Sequence, residues 1–201
     1  MQATDQIALL SDLSQAQKDQ AFAVLVDGFY DTFKMLEKDK SILRDFFSDL
    51  FDHSMVYALL KDGRAVGFLS LGNSSERSMK PSKEAAQKHF GKQKGAAAAW
   101  ALGLQNKLLV HSEHEASIDF LATDPAFRGQ GVASGLIRNL CETLPYRTYI
   151  LETQTINATA RRLYESLGFK QIFMKHHSWY IPFFSRLFGQ GTPIMYRLDL
   201  R

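Results

Sequence analysis

Apolar positions in the first half of the chain recur first at helical and then at strand spacing. The short apolar run 6–10, "QIALL", predicts a first strand. After Ser14, a plausible N-cap, a helical repeat runs to residue 33 and includes Ala21, Leu25, Gly28 and Phe29. A second, shorter helix follows, in which Ile42, Phe46, Phe47 and Leu50 share one face.

Two apolar runs then flank Asp62-Gly63, which predicts a β-hairpin over residues 55–72. Residues 73–95 are polar and have no regular spacing, and the alanine-rich stretch 95–109 that follows favours a helix.

The second half alternates between strand and helix patterns. Strands are predicted at 115–123, 147–155, 170–177 and 192–200, and helices at 131–144 and 157–167, the second ended by Gly168. The stripe of the first of these helices places Cys141 in the core, as a poor nucleophile. No repeat or linker divides the chain, so we expect one α/β (α+β) domain over 1–201, with a mixed sheet.

Composition excludes several classes of protein. The 201 residues are 45% hydrophobic and 22% charged, as in ordinary globular proteins, and the net charge of +3 is too small to indicate a nucleic-acid partner. Residues 73–95 carry +4, which predicts a solvated insertion. One cysteine precludes an internal disulfide. No signal-like start and no apolar run of about 18 residues is present, so we expect a cytoplasmic protein with no membrane partner.

The stretch 127–133, "FRGQGVA", joins a predicted strand to a predicted helix. Free amide groups at a helix start bind anions, two glycines let a phosphate approach the backbone, and Arg128 adds a positive charge. A diphosphate site and a tight connection with a surface arginine both fit this stretch. A dinucleotide-binding turn fits less well, because Ser134 stands where its third glycine belongs.

Two ordered motifs resemble the GNAT superfamily of N-acetyltransferases. The acyl-CoA signature Arg/Gln-x-x-Gly-x-Gly/Ala is met by Arg128, Gly131 and Ala133. The second signature, Asn-x-x-Ala-x-x-Leu-Tyr-x-x-x-Gly-Phe, is met at every fixed position over residues 157–169. The resemblance is sharp over 115–172 and implies a mostly antiparallel central sheet with helices on both faces. A helical insertion, about 73–110, would separate the hairpin from the motif strand.

The resemblance also implies the substrate contacts. The backbone of the motif strand would hold the pantetheine arm of acetyl-CoA where this strand splays from the next one. The residues implied for acetyl-CoA binding are Leu121, Ala122, Thr123, Arg128, Gly129, Gln130, Gly131, Val132, Ala133, Asn157, Ala160 and Tyr164.

Acyl transfer to an amine needs a proton acceptor and a proton donor. A lysine-like amine has a pKa of about 10.4 and arrives protonated, and the departing thiolate must gain a proton. Tyr164 matches the family tyrosine that approaches the CoA sulfur, which makes it the predicted general acid; a core tyrosine is the alternative. Asp119 is the first choice of general base and Glu115 the second, and both share a strand face with Ser117. A carboxylate paired with a lysine or arginine is the competing interpretation of Asp119.

These residues predict acetyl transfer from acetyl-CoA to a primary amine, with a small molecule favoured over a protein amino group. A non-catalytic acyl-CoA sensor is the alternative class. The aromatic segment 173–188 is expected to wall the acceptor site through Trp179 and Tyr180, together with Phe29, and to contribute to a homodimer. His111, His114, His176 and His177 are not expected to bind a metal, because the reaction needs none.

Overall fold

The computed structural model describes residues 5–106, 108–172 and 191–200. The strands of this part of the chain form one sheet in the order β1-β2-β3-β4-β5-β7-β6. They are β1 (Gln6–Leu9), β2 (Val56–Lys61), β3 (Arg64–Gly72), β4 (Glu115–Thr123), β5 (Thr148–Gln154), β6 (Lys170–Ile172) and β7 (Pro193–Asp199). Only β4 and β5 pair in parallel, so the mixed, mostly antiparallel sheet is confirmed.

The α-helices lie on both faces of this sheet. They are α1 (Gln15–Gly28), α2 (Tyr30–Phe33), α3 (Lys40–Leu50), α4 (Lys83–Phe90), α5 (Lys92–Gln105), α6 (Val132–Thr143) and α7 (Ala158–Ser166). Ser14 caps α1 as predicted, in a reciprocal capping box with Gln17. The single helix expected up to residue 33 instead breaks at Phe29, which leaves α2 as a separate turn.

Two apolar cores hold these layers together. The first lies on the sheet face covered by α1 to α5 and contains the fully buried Phe22, Phe46, Phe47 and Phe68. The second lies between the other face and α6 and α7, around Leu136, Tyr149 and Tyr196. Side chains of β3 alternate between them, with Phe68 in the first core and Leu69 in the second.

The polar stretch 73–95 is more ordered than its composition suggests. It contains α4 and the start of α5, and two of its lysines pair with acidic residues outside it, one on α3 and one in the loop after α2. Lys88 pairs with Asp49 at 2.7 Å and Lys94 with Glu37 at 2.7 Å. Such exposed pairs contribute at most about 1 kcal/mol each. The side chains of Lys88 and Lys94 are 67% and 51% exposed, which agrees with a solvated insertion, although its chain is helical rather than irregular.

A β-bulge in β4 overturns the predicted alternation of its side chains. Ser70 of β3 pairs with Phe120 and the next residue, Leu71, pairs with Ile118, so Asp119 is the extra residue. Ile118 packs in the second core, whereas Phe120 and Ala122 pack with the first. Strict alternation along a strand would place these three on one face; the inserted residue reverses the alternation after Ile118.

Candidate active site

The loop after β4 is fixed by Asp124. Its amide donates to the Val66 carbonyl at 2.9 Å, and its carboxylate accepts from the Ala126 amide at 2.9 Å. The same carboxylate pairs with Arg64 at 2.6 Å. A short 3₁₀ turn, Pro125–Phe127, follows and delivers the chain to Arg128 in a defined direction.

The segment Arg128–Ala133, here called the glycine turn, joins this loop to α6. Gly129 and Gly131 have φ of +74° and +80°, which side-chain-bearing residues rarely adopt. No side chain caps α6, since the Ser134 hydroxyl donates backward to the Gly131 carbonyl at 2.9 Å. The helix therefore begins with amide groups that have no capping partner, next to the exposed Arg128. This arrangement suits an anion.

Beside the glycine turn, β4 separates from β5. Their parallel register runs from Glu115–Thr148 to Ile118–Leu151 and stops there. The edge of β4 from Asp119 to Thr123 is not paired with β5, although its other edge remains paired with β3. Leu121, Ala122 and Thr123 thus offer backbone groups along a gap, as expected for the strand that holds pantetheine.

Tyr164 lies in the second core beside Tyr196, whose strand partner Leu151 is the last residue of β5 paired with β4. It is 7% exposed, and its ring centroid lies 5.9 Å from those of Phe169 and Tyr196. Burial raises the pKa of its hydroxyl to about 12. The phenol therefore stays protonated at neutral pH.

The start of α7 is held by its own cap. The Asn157 carboxamide oxygen accepts from the Ala160 amide at 3.1 Å, as expected for an N-cap. Gly168 follows the helix with φ of +90° and lets the chain turn into β6. Tyr164 is thereby fixed on the inner face of α7, together with Ala160, Leu163 and Leu167.

Both carboxylates chosen from the sequence as candidate bases are ion-paired. The side chain of Asp119 is 1% exposed and lies 2.8 Å from Arg77 Nε, which is the competing interpretation considered above. Glu115 begins β4, at the end opposite the glycine turn, and lies 3.3 Å from Arg197. Neither arrangement leaves a carboxylate exposed at the gap beside Leu121.

Glu152, on β5, is a carboxylate that the sequence analysis did not select as a base. It directly follows Leu151, the last residue paired with β4, and it is exposed on a strand that is otherwise largely buried. Its partner on β7 is Met195, which packs with Ile150, so Glu152 faces the side of the sheet opposite Leu151. An exposed acid within "YILETQ" was a signal in the sequence, but its position relative to the gap depends on the register.

Phe29, predicted to contact the acceptor, lies on the same side of the sheet. Its ring centroid is 5.4 Å from that of Phe120, at the end of α1. Trp179 and Tyr180 lie outside the described residues, as do His176, His177 and the rest of the aromatic segment 173–188. No group of residues suited to a metal ion is found within the described part of the chain. None of its helices is long and apolar enough to span a bilayer.

A mixed sheet whose central parallel pair separates beside an uncapped, glycine-led helix has the features expected of an acyl-CoA-dependent acetyltransferase. A family model described as the acetyltransferase (GNAT) family matches residues 18–169, and the chain belongs to this family.

Curated relatives and a solved structure extend this result. The chain is 40% identical over 75 residues to the [ribosomal protein bS18]-alanine N-acetyltransferase of Haemophilus ducreyi, covering 36% of this chain and 52% of that protein. It is 34% identical over 88 residues to human N-acetylaspartate synthetase, covering 40% of this chain and 29% of that protein. The matches thus span about half or less of these relatives. The NatC complex bound to Gag peptide and CoA contains a chain with a TM-score of 0.57 at 13% identity, covering 100% of both chains.

Proposed function

We propose that this protein transfers the acetyl group of acetyl-CoA to a primary amine. One observation carries the proposal: the gap between β4 and β5 opens directly beside the uncapped start of α6. The glycine turn suits the diphosphate and the free edge of β4 suits the amide groups of the pantetheine arm. Acetyl-CoA supplies an activated thioester carbonyl, and the protein has to place it beside the amine and manage two protons. The proposed contacts are Leu121–Thr123, Arg128–Ala133, Asn157, Ala160 and Tyr164.

Glu152 is the proposed proton acceptor. An alkyl amine with a pKa of about 10.4 must lose a proton before or during its attack on the carbonyl. Glu152 follows the last paired residue of β5 and is exposed, so a carboxylate stands where the gap begins. Asp119 is enclosed by donors and is less suited to this role.

Tyr164 is the proposed proton donor. When the carbon–sulfur bond breaks, the departing sulfur needs a proton, and the amide product and free CoA thiol result. The Tyr164 phenol, whose pKa burial raises to about 12, is protonated at neutral pH, and we propose that it passes its proton to the sulfur as the carbon–sulfur bond breaks. The phenol is then restored by the proton that the base took from the amine, carried back through solvent.

The acceptor is proposed to be a small-molecule amine. The rings of Phe29 and Phe120 would contact it on the side of the sheet that Glu152 faces. The names of the curated relatives include both a protein acceptor, ribosomal protein bS18, and a small product, N-acetylaspartate. A protein amino group is therefore the second candidate. A homodimer and a contribution of Trp179 and Tyr180 to the acceptor site remain predictions.

The test is release of free thiol from acetyl-CoA with a panel of small amines in one arm and peptides in the other. We expect turnover in the small-amine arm, and turnover with peptides alone would move the acceptor to proteins. Tyr164→Phe should lower kcat roughly 10²-fold with CoA affinity nearly unchanged. Glu152→Gln should lower the rate most at low pH, where free amine is scarce. Full activity of both variants would remove these residues from the mechanism, and no thiol release with any amine would refute the activity.

A further inference from the structure

The segment 76–80, between β3 and α4, crosses from the end of α3 to β4; we call it the strap. At one side its backbone is joined to the end of α3. The Asp52 amide donates to the Ser78 carbonyl at 2.8 Å, and the Lys80 amide donates to the Leu50 carbonyl at 2.8 Å. Met79 forms an isolated bridge with Phe51. The strap is thus an ordered part of the first core.

At its other side the strap surrounds the carboxylate of Asp119. Arg77 Nε lies 2.8 Å from Oδ1, and the Ser78 amide and hydroxyl donate to Oδ2 at 3.0 and 2.9 Å. The Ser117 hydroxyl donates to Oδ1 at 2.7 Å. A carboxylate that is almost fully buried therefore has its negative charge balanced by one cation and three hydrogen-bond donors.

Close approach of the neighbouring strand is part of this arrangement. Gly72 lies beside the carboxylate, and a Cβ at that position would be 2.5 Å from Ser117 Oγ and 3.0 Å from Asp119 Oδ2. Only glycine leaves the space that the two side chains occupy.

The residue held in this way is the bulge itself. Asp119 is the extra residue of β4, and it follows Ile118, the last residue paired with β5. At the bulge β4 separates from β5. The side chains after it are shifted by one position, so that Phe120 packs with the first core and Leu121 with the second. A buried, multiply bonded side chain here fixes the direction of Leu121–Thr123.

We infer that Asp119 and Arg77 are positioning residues: the strap holds the β4 bulge in place and thereby sets the width of the acetyl-CoA gap. This inference rests on the proposed function for the identity of the ligand. It gives Asp119 a role other than proton transfer and makes the insertion between β3 and β4 a contributor to cofactor binding. CoA is the probe, since it contains the diphosphate and the pantetheine arm but no acetyl group.

Calorimetric titration of CoA into Asp119→Asn and Arg77→Met tests the inference. Each variant should raise the CoA Kd about tenfold, because displacing backbone groups at a binding site weakens every contact they make. The double variant should bind no more weakly than the weaker single variant, since both break the same interaction. Lys80→Met is the matched control: it removes the exposed pairs of the strap with Asp52 and Glu76 and should leave the CoA Kd unchanged.

A second readout separates positioning from the other roles. The acidic limb of the pH profile of kcat should be unchanged in Asp119→Asn while KM for acetyl-CoA rises. Loss of that limb with unchanged CoA affinity would make Asp119 the general base and overturn the inference. A lowered melting temperature with wild-type CoA affinity would reduce the pair to a stabilising contact and overturn it too.

If Asp119→Asn does not fold, Gly72→Ala and Arg77→Lys take its place, because they displace the carboxylate or its partner while keeping both charges. Wild-type CoA affinity in these two variants would likewise refute the inference. The titrations remain decisive if the wild-type protein binds CoA but acetylates no amine, since that result would refute only the proposed reaction.

Discussion

Gly131 offers a graded test of the anion site, because one position combines positive φ, a helix start and the proposed diphosphate contact. Its φ of +80° lies in the left-handed region, where a side chain costs about 1–2 kcal/mol. A Cβ there would meet nothing nearer than Ser134 Oγ at 3.7 Å, so no steric clash adds to this cost. Gly131→Ala should therefore lower the free energy of unfolding by about 1 kcal/mol.

Gly131→Gln and Gly131→Glu add equal volume but differ in charge. Without ligand, the glutamate variant should be the more stable of the two by about 0.3–1 kcal/mol, because a carboxylate is favoured at a helix N-terminus. With CoA the order should reverse. A carboxylate about 5 Å from a phosphate charge costs about 3 kcal/mol at an effective dielectric of 20, which is roughly 10²-fold in affinity.

Urea unfolding of the three variants measures the order of their stabilities, and calorimetric titration measures the order of their CoA affinities. We expect CoA affinity to fall from Ala to Gln to Glu, and the difference between Gln and Glu to shrink as salt is raised. If the folded glutamate variant binds CoA as tightly as the alanine variant, the diphosphate does not lie at the glycine turn and the reasoning fails.

Two further predictions concern titratable groups. Because burial raises the Tyr164 pKa from 10.0 to about 12, its contribution to stability is complete below pH 10 and is lost as the pH rises towards 12. Chemical unfolding at pH 11 should therefore find the wild type destabilised relative to Tyr164→Phe by about 1.4 kcal/mol more than at pH 8, and equal differences at the two pH values would contradict this. Burial likewise raises the Cys141 pKa to about 11. Its alkylation by iodoacetamide at pH 8 should be about tenfold slower in the native protein than in urea, and a native rate as fast as the unfolded one would show that the thiol is not protected.

The sequence predicted most elements of the fold because each has a local signal. Ser14 caps α1, Asp62-Gly63 turns the hairpin, and the stripe of α6 is buried as expected. The proposed anion site also follows local rules, since two glycines at a helix start predict it almost alone. Tyr164 faces inward because the period of α7 requires it.

The features that the sequence did not show concern interactions between segments distant in sequence. The charge of 73–95 was visible, but its acidic partners Glu37 and Asp49 lie in the loop after α2 and on α3. The alternation of β4 was extended through Asp119 because nothing in "SIDFLA" marks a bulge. Its presence follows from the register with β3.

The chain by itself thus determined most elements, the family motifs, and the glycines and tyrosine of the proposed anion site and proton donor, because helix periodicity, capping and turn chemistry act within a few residues. Only the tertiary structure decided which carboxylate stands at the gap and which one is buried under the strap. The positions of the two carboxylates depend on the register of β4 with β3 and β5. They also depend on the ion pair between Asp119 and Arg77, which is 42 positions earlier in the chain. Periodicity within one strand carries no information about either.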